Sequence, residues 1–265
     1  MTEGLKVLTS IYFAHPLEVA LFTTVLAVIL AYVFDGNTER EKIKREARRV
    51  TDERELTREN FLKRNKVDPM QADEIARMTV AELMNAMRSK RLKCELIVRT
   101  FCLRALYVGQ SANATTEELF DDAIRRAKEI DTMRAKKDHD VSKEPPLLGL
   151  PISVKDQYDM EGCLSDMGLG TRLLKGPCKE DGLLISILGK AGAIFFTRTN
   201  VPQGLLVAES NNFIWGEAKN PHDLRRTPGG SSGGEGALIG ALASPVGLGS
   251  DIGGSIRIPS HNNGV

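Results

Sequence analysis

Three short segments of this 265-residue chain carry residue types that can do covalent chemistry. Lys155 closes the apolar run Leu150-Pro151-Ile152-Ser153-Val154, a strand end, which is where an α/β sheet presents its functional groups. Pro228-Gly229-Gly230-Ser231-Ser232-Gly233-Gly234-Glu235-Gly236 runs into an apolar helix, Ala237 to Leu242, so its glycines let the backbone approach a ligand and aim N–H groups at it. Gly247-Leu248-Gly249-Ser250-Asp251-Ile252-Gly253-Gly254-Ser255 reads as a strand entering a glycine turn that ends in serine. Such a turn presents a hydroxyl and several amides at one point, the layout of a nucleophile with its oxyanion hole. Ten of the 24 glycines lie between Gly229 and Gly254, so the backbone there has to pass close to something.

Each segment has a plainer alternative. Lys155 alone is a surface lysine at a strand end, and the serine-glycine run alone is a linker, although linkers do not lead straight into Ala237-Leu238-Ile239. A phosphate loop fails in detail, because no G-x-x-x-x-G-K-[ST] occurs. Gly229-Gly230-Ser231-Ser232-Gly233 matches a G-x-S-x-G nucleophile elbow, but Asn220 to Thr227 before it is polar and turn-like rather than a strand. None of His15, His139, His222 and His261 sits in a motif that would complete such a triad.

The elements that must position these segments follow from periodicity. Val19 to Phe34 is uncharged and, with its flanks, close to the ~20 residues a bilayer span needs. Only Lys6 is basic before it, whereas Arg40, Lys42, Lys44, Arg45, Arg48 and Arg49 follow, which predicts an anchor (1–35) with the remaining chain in the cytosol. A cleaved signal peptide fits less well, since the leading segment is nearly neutral and Tyr32, Val33 and Phe34 stand where small residues would be needed. The charge-dense stretch to Lys66, with a thin stripe of Ile43, Ala47 and Val50, predicts a solvated helical stalk (36–68). Thr79-Val80-Ala81-Glu82 fits a capping box, Ile97, Phe101, Ala105 and Val108 recur at helical spacing, and Thr115-Thr116-Glu117-Glu118 is expected to start a further helix. Apolar runs at Leu147–Val154, Ile194–Thr197 and Pro245–Leu248, with helical spacing at Leu183, Leu184, Ile187 and Leu188, predict an α/β fold with a largely parallel sheet over 69–265, after the helices.

Composition excludes some functions. With 36 basic against 35 acidic residues, no global attraction to nucleic acid is expected. Cys94, Cys102, Cys163 and Cys178 form no C-x-x-C pair, which argues against a zinc site and a disulfide scaffold and for free thiols.

Taken together, the three glycine, serine and lysine segments resemble the amidase signature family. Thr199-Asn200-Val201-Pro202-Gln203, the helix after Ser232 and the N-terminal span are similar to its fatty acid amide hydrolase branch in animals. The resemblance is strong from Leu147 onward and weak from Met70 to Lys136. It implies a mixed sheet flanked by helices, no cofactor, and hydrolysis of fatty acid amides such as N-acylethanolamines. Ser255 would be the nucleophile and Ser231 the bridging serine, with a cis peptide before it. Lys155 would be the base, and the amides of Ile252, Gly253, Gly254 and Ser255 the oxyanion hole. The two serines are 24 residues apart, as in that family. Leu205 and Leu206 would border the acyl-chain channel, and the enzyme would be a dimer on an intracellular membrane, the endoplasmic reticulum. The roles are physically coherent, because a lysine can activate serine only when neutral, and burial lowers its pKa. Asp251 and Arg257 are expected to form a structural ion pair. The chain stops ten residues after Ser255, where the family continues into a second half. An active enzyme and an inactive, membrane-tethered product are therefore both expectations from the sequence.

Overall fold

The structure, a computed structural model, describes residues 16–265, and Lys6 lies outside the described residues. The chain divides into two compact units, Met1–Arg45 and Glu46–Val265. In the first, helix α1 (Pro16–Arg64) begins with Glu18 in its first turn, where a carboxylate meets the positive end of the helix dipole. Leu21, Phe22, Val25, Val28, Ile29, Leu30 and Val33 are all exposed on it. This stretch is long and apolar enough to cross a membrane, and none of it is covered by protein.

In the second unit the helix is not a solvated stalk, which corrects the expectation from its charge density. Ala47 and Val50 pack with Leu173, Ile214 and Trp215, and the Arg54 guanidinium lies 5.2 Å from the Trp215 ring centroid. Arg58 is buried and donates to Glu118 Oε1 at 2.9 Å and to Thr115 Oγ1 at 2.7 Å. Phe61 meets Phe120 at 4.9 Å between ring centroids. Arginines bury their stems against apolar surface when the head finds a carboxylate, so a charge-rich helix can still join a core.

Helices α2 (Pro69–Ala76), α3 (Val80–Arg88), α4 (Cys94–Ala112) and α5 (Phe120–Arg134) follow. The capping box is formed: Thr79 Oγ1 accepts from the Glu82 amide at 3.3 Å and Glu82 Oε2 accepts from the Thr79 amide at 2.7 Å. Leu83, Ile97, Phe101, Leu106, Phe120 and Ile124 make one core with Ile152 and Phe196 of the sheet. Thr115–Glu118 does not open a helix. It forms strand β1, because two β-branched threonines become fully buried when paired antiparallel with a later strand.

That sheet has the order β1-β3-β2-β6, built from β2 (Pro151–Lys155), β3 (Ile194–Thr199) and, after a small ribbon of β4 (Asn211–Asn212) and β5 (Gly216–Glu217), β6 (Gly247–Leu248). The β2–β3 and β2–β6 pairings are parallel, so the sheet is mixed and mostly parallel. Helices α6 (Gly170–Leu173) and α7 (Leu183–Lys190) fall between β2 and β3, α8 (Gly233–Gly240) precedes β6, and α9 (Arg257–Asn263) follows it. Leu147 to Leu150 are a turn rather than strand, with Gly149 at φ +88°. The result that matters for chemistry is register: Lys155, the last residue of β2, lies opposite Thr199, the last of β3.

Candidate active site

At the end of β2, successive side chains go to opposite faces. Val154 joins Met160, Cys163 and Ile185 on one side, and Ser153 and Lys155 turn toward α8 on the other. Lys155 is fully buried. Its Nζ lies 2.8 Å from Ser231 Oγ, 2.9 Å from Ser250 Oγ and 3.5 Å from the Ser250 carbonyl. It has no ion-pair partner among the described residues, so its surroundings are hydroxyl and carbonyl oxygens. Burial lowers its pKa to about 8, against a smaller opposing pull from Glu235 and Asp251.

Ser231 is buried, and the peptide bond that joins it to Gly230 is cis. A side chain at Gly230 would collide with the Glu209 backbone, which is why this approach needs glycine. Ser232 stands at the N-cap position of α8 but makes no capping bond. Its hydroxyl donates to the Ser250 carbonyl at 3.3 Å, and its amide donates to the Ser255 carbonyl at 3.1 Å. The α8 N-terminus is pinned instead by Gly233 N–H on Ser210 Oγ at 3.0 Å and Gly234 N–H on the Asn200 carbonyl at 3.0 Å. Asn200 is buried and anchors its own segment by donating to the carbonyls of Asn113 and Gly216 at 3.0 and 3.2 Å.

Ser255 is partly exposed and joins the Ser231 segment through backbone, with no side-chain hydrogen bond among the described residues. The turn before it is shaped by Asp251, whose carboxylate accepts from the amides of Gly254 at 2.7 Å, Ile256 at 3.0 Å and Arg257 at 3.1 Å. The expected ion pair is present, with Arg257 Nη2 2.9 Å from Asp251 Oδ1. The side-chain bond from Arg257 and these amides hold the Asp251 carboxyl far below its usual range. Of the four amides named for an oxyanion hole, that of Gly254 is thus engaged. Those of Ile252, Gly253 and Ser255 have no partner among the described residues. Ile252 is wholly exposed and Leu206 nearly so, while Leu205, at φ +62°, is partly covered.

Two residues of the site, Ser250 and Glu235, carry contacts that their positions in the sequence did not announce. Ser250 is the second hydroxyl on Lys155, and it passes its own hydrogen to Gln157 Oε1 at 2.5 Å. Glu235 is buried behind the lysine, with its carboxyl on Ser153 and Thr199. An acid inside a glycine-rich, otherwise apolar helix was the available signal for Glu235. Ser250 carried none beyond its position between Gly249 and Asp251.

This arrangement, a buried lysine on a serine hydroxyl beside a glycine turn carrying a second serine, coincides with a family match. The family model described as Amidase matches residues 96–265. The chain belongs to the amidase family, the amidase signature enzymes. It is 36% identical to Fatty acid amide hydrolase 1 of Caenorhabditis elegans, across 92% of this chain and 43% of that protein. It is 38% identical to Amidase 1 of Gibberella moniliformis, across 72% and 36%, and 40% identical to the Acetamidase of Emericella nidulans, across 72% and 34%. A solved structure of a fatty acid amide hydrolase superposes with a TM-score of 0.72 at 29% identity, across 83% of this chain and 41% of that one. The chain spans less than half the length of each of these relatives.

Proposed function

We propose that this chain carries the catalytic residues of a serine amide hydrolase acting on fatty acid amides, held at a membrane by residues 19–34. The observation that carries the proposal is the buried Lys155 amine on the Ser231 hydroxyl. In its neutral form the amine has two hydrogens for the Ser250 hydroxyl and carbonyl, and a lone pair for the Ser231 hydrogen. Ser231 gives that hydrogen to Lys155 and its Oγ accepts a proton from Ser255 Oγ as that oxygen attacks the amide carbon. The developing oxyanion meets the amides of Ile252, Gly253 and Ser255. Lys155 returns the proton through Ser231 to the leaving nitrogen, the C–N bond breaks, and water releases the fatty acid from Ser255. No cofactor enters these steps.

The fatty acid amide class is favoured by the likeness to Fatty acid amide hydrolase 1, which extends over 92% of the chain, and by the uncovered apolar helix ahead of the catalytic unit. The membrane is proposed to be the endoplasmic reticulum, with the catalytic unit in the cytosol and a dimer as the assembly. A second substrate class, short aliphatic amides, is favoured by the 40% identity to the Acetamidase.

The test is hydrolysis of a long-chain N-acylethanolamine beside acetamide, with fluorophosphonate labelling, by detergent-solubilised protein. Faster turnover of the long-chain amide and labelling at Ser255 are expected. Preference for acetamide would transfer the proposal to short amides, and absence of label from Ser255 would end it. Removal of residues 1–35 is expected to release the protein from membranes and leave labelling intact.

A further inference from the structure

Behind Lys155 lies a closed set of polar contacts that the proton transfer above does not use. Glu235 is on α8 and is almost wholly buried. Its Oε1 accepts from Thr199 Oγ1 at 2.8 Å, and its Oε2 lies 2.5 Å from Ser153 Oγ. Ser153 Oγ is also 2.9 Å from Ser244 Oγ, which in turn is 2.8 Å from the Val246 carbonyl.

The hydrogens in this chain can be counted. Four contacts need four hydrogens, and the three hydroxyls of Thr199, Ser153 and Ser244 supply three. A carbonyl has none to give. The Ser244 hydrogen must go to Val246, the only acceptor there without a hydrogen of its own. The Ser153 hydrogen then goes to Ser244, and the Thr199 hydrogen to Oε1. What remains is the shortest contact, Glu235 Oε2 to Ser153 Oγ, and only a proton on the carboxyl can fill it.

The charged neighbours agree with that count. Lys155 meets Ser231 and Ser250, Arg198 donates to Asp156 and the Tyr158 carbonyl, and among the described residues neither hydrogen-bonds Glu235. The other titratable groups on elements packed around α8 are occupied elsewhere or distant. Tyr158 donates to the Gly249 carbonyl, Arg104 of α4 binds the carbonyls of Ala241 and Leu242, Arg257 of α9 pairs with Asp251, and His261 is exposed. Strand β6 contributes only Gly247 and Leu248, and a side chain at Gly247 would collide with Glu235 Oε2.

We propose that Glu235 is a neutral carboxylic acid locked by the Ser153–Ser244–Val246 chain, and that it acts as a positioning residue that leaves Lys155 free of a counter-ion and able to serve as base. The second half rests on the assignment of Lys155 as base. Burial pushes the Glu235 carboxyl up to about 7, against opposing pulls from the Ser153 and Thr199 hydroxyls and from Lys155 and Arg198. With Ser153 accepting from it, the neutral form is held further, because a hydrogen bond donated by the acid disfavours its ionised form. An ionised carboxylate here would attract the ammonium form of Lys155 and remove its lone pair from the reaction.

Two measurements on the whole protein test this. The first is the infrared spectrum at mildly alkaline pH. The wild type is expected to show a protonated carboxylic C=O band that Glu235→Gln lacks, and no such band in the wild type would overturn the proposal. The second is the rate of fluorophosphonate labelling against pH. Glu235→Ala is expected to lower the rate, and Glu235→Gln, which can donate to Ser153 and accept from Thr199, to restore an acid limb within about 0.3 pH unit of the wild type. A fall of the limb by about one unit or more in Glu235→Gln would mean that a negative charge had been removed, and the neutral-acid proposal would be wrong.

Ser244→Ala gives the same decision should Glu235→Gln fail to fold. It returns the Ser153 hydrogen to Glu235, so the carboxylic band should titrate at lower pH and the labelling limb should rise. An unmoved band contradicts the hydrogen count. Lys155→Ala separates the two assignments: labelling equal to wild type there would remove Lys155 as base, while the infrared band would still decide the state of Glu235.

Discussion

Lys155 and Asp156 are consecutive, both fully buried, and end in opposite electrostatic environments. Lys155 turns toward α8 and, among the described residues, hydrogen-bonds hydroxyl and carbonyl oxygens alone, so burial outweighs the pull of Glu235 and Asp251 and the amine is driven toward neutrality. Asp156 turns the other way and meets Arg198, whose Nη2 lies 2.7 Å from Oδ1. Arg198 also bonds the Tyr158 carbonyl at 2.9 Å and lies 3.7 Å from Glu117. The neighbouring acids raise its pKa despite the cost of burial, so the guanidinium stays charged. Burial sets the penalty for a charge, and the partner decides whether the charge survives. One side of the strand end thus holds an amine driven toward neutrality, and the other holds a compensated ion pair.

The largest effect should come from breaking the reactive side. Lys155→Ala is expected to slow fluorophosphonate labelling of Ser255 by roughly a hundred- to ten-thousand-fold, with an unfolding midpoint little changed. Breaking the ion pair should do the reverse. Arg198→Met leaves Asp156 and Glu117 without their cation and is expected to destabilise the protein by about 3–5 kcal/mol in denaturant unfolding. If Lys155→Ala were the more destabilising of the two, the division of labour would be wrong.

Smaller changes sharpen the contrast. Ser250→Ala removes one acceptor from Lys155 and leaves Gln157 Oε1 without its donor, for a cost of about 1–3 kcal/mol and a lower labelling rate. Labelling in the wild type should rise with pH through about 8 as Lys155 loses its proton, and a flat profile would contradict its role. Stability should move the other way. Burial pushes Glu117 and Glu235 up to about 7 and Asp166 up to about 8. The folded protein then holds protons that the unfolded chain has released, so stability should fall as pH rises from the ordinary carboxyl range to about 8. Lys155 adds nothing there, because it is protonated in both states below about 8. A thermal midpoint lower at mildly alkaline than at mildly acidic pH is the expected result.

Much of this was legible in the chain itself. The capping box at Thr79, the strands at Ile152 and Phe196 and the Asp251–Arg257 pair depend on contacts within a few residues or on strict apolar spacing, and such signals survive in a sequence. Lys155, Ser231 and Ser255 could be named because the three segments that hold them resemble those of a known family. Their charge states could not be, since a lysine's pKa depends on which atoms lie within 3 Å of it. The same limit applies to Thr115–Glu118, where a helix-start pattern became a strand once β3 offered a partner. It applies also to Arg58, whose burial depends on Glu118, 60 residues away.

Residue type and order therefore fixed the candidate chemistry and the class of fold. Tertiary packing assigned the protons. By setting Ser250 beside Lys155, Arg198 beside Asp156 and Ser153 beside Glu235, it left one buried lysine without a counter-ion, paired one buried aspartate with a guanidinium and placed one buried glutamate among hydroxyls. The physical reason is that burial penalises every charge, and only contacts between residues far apart in sequence determine which charges are compensated.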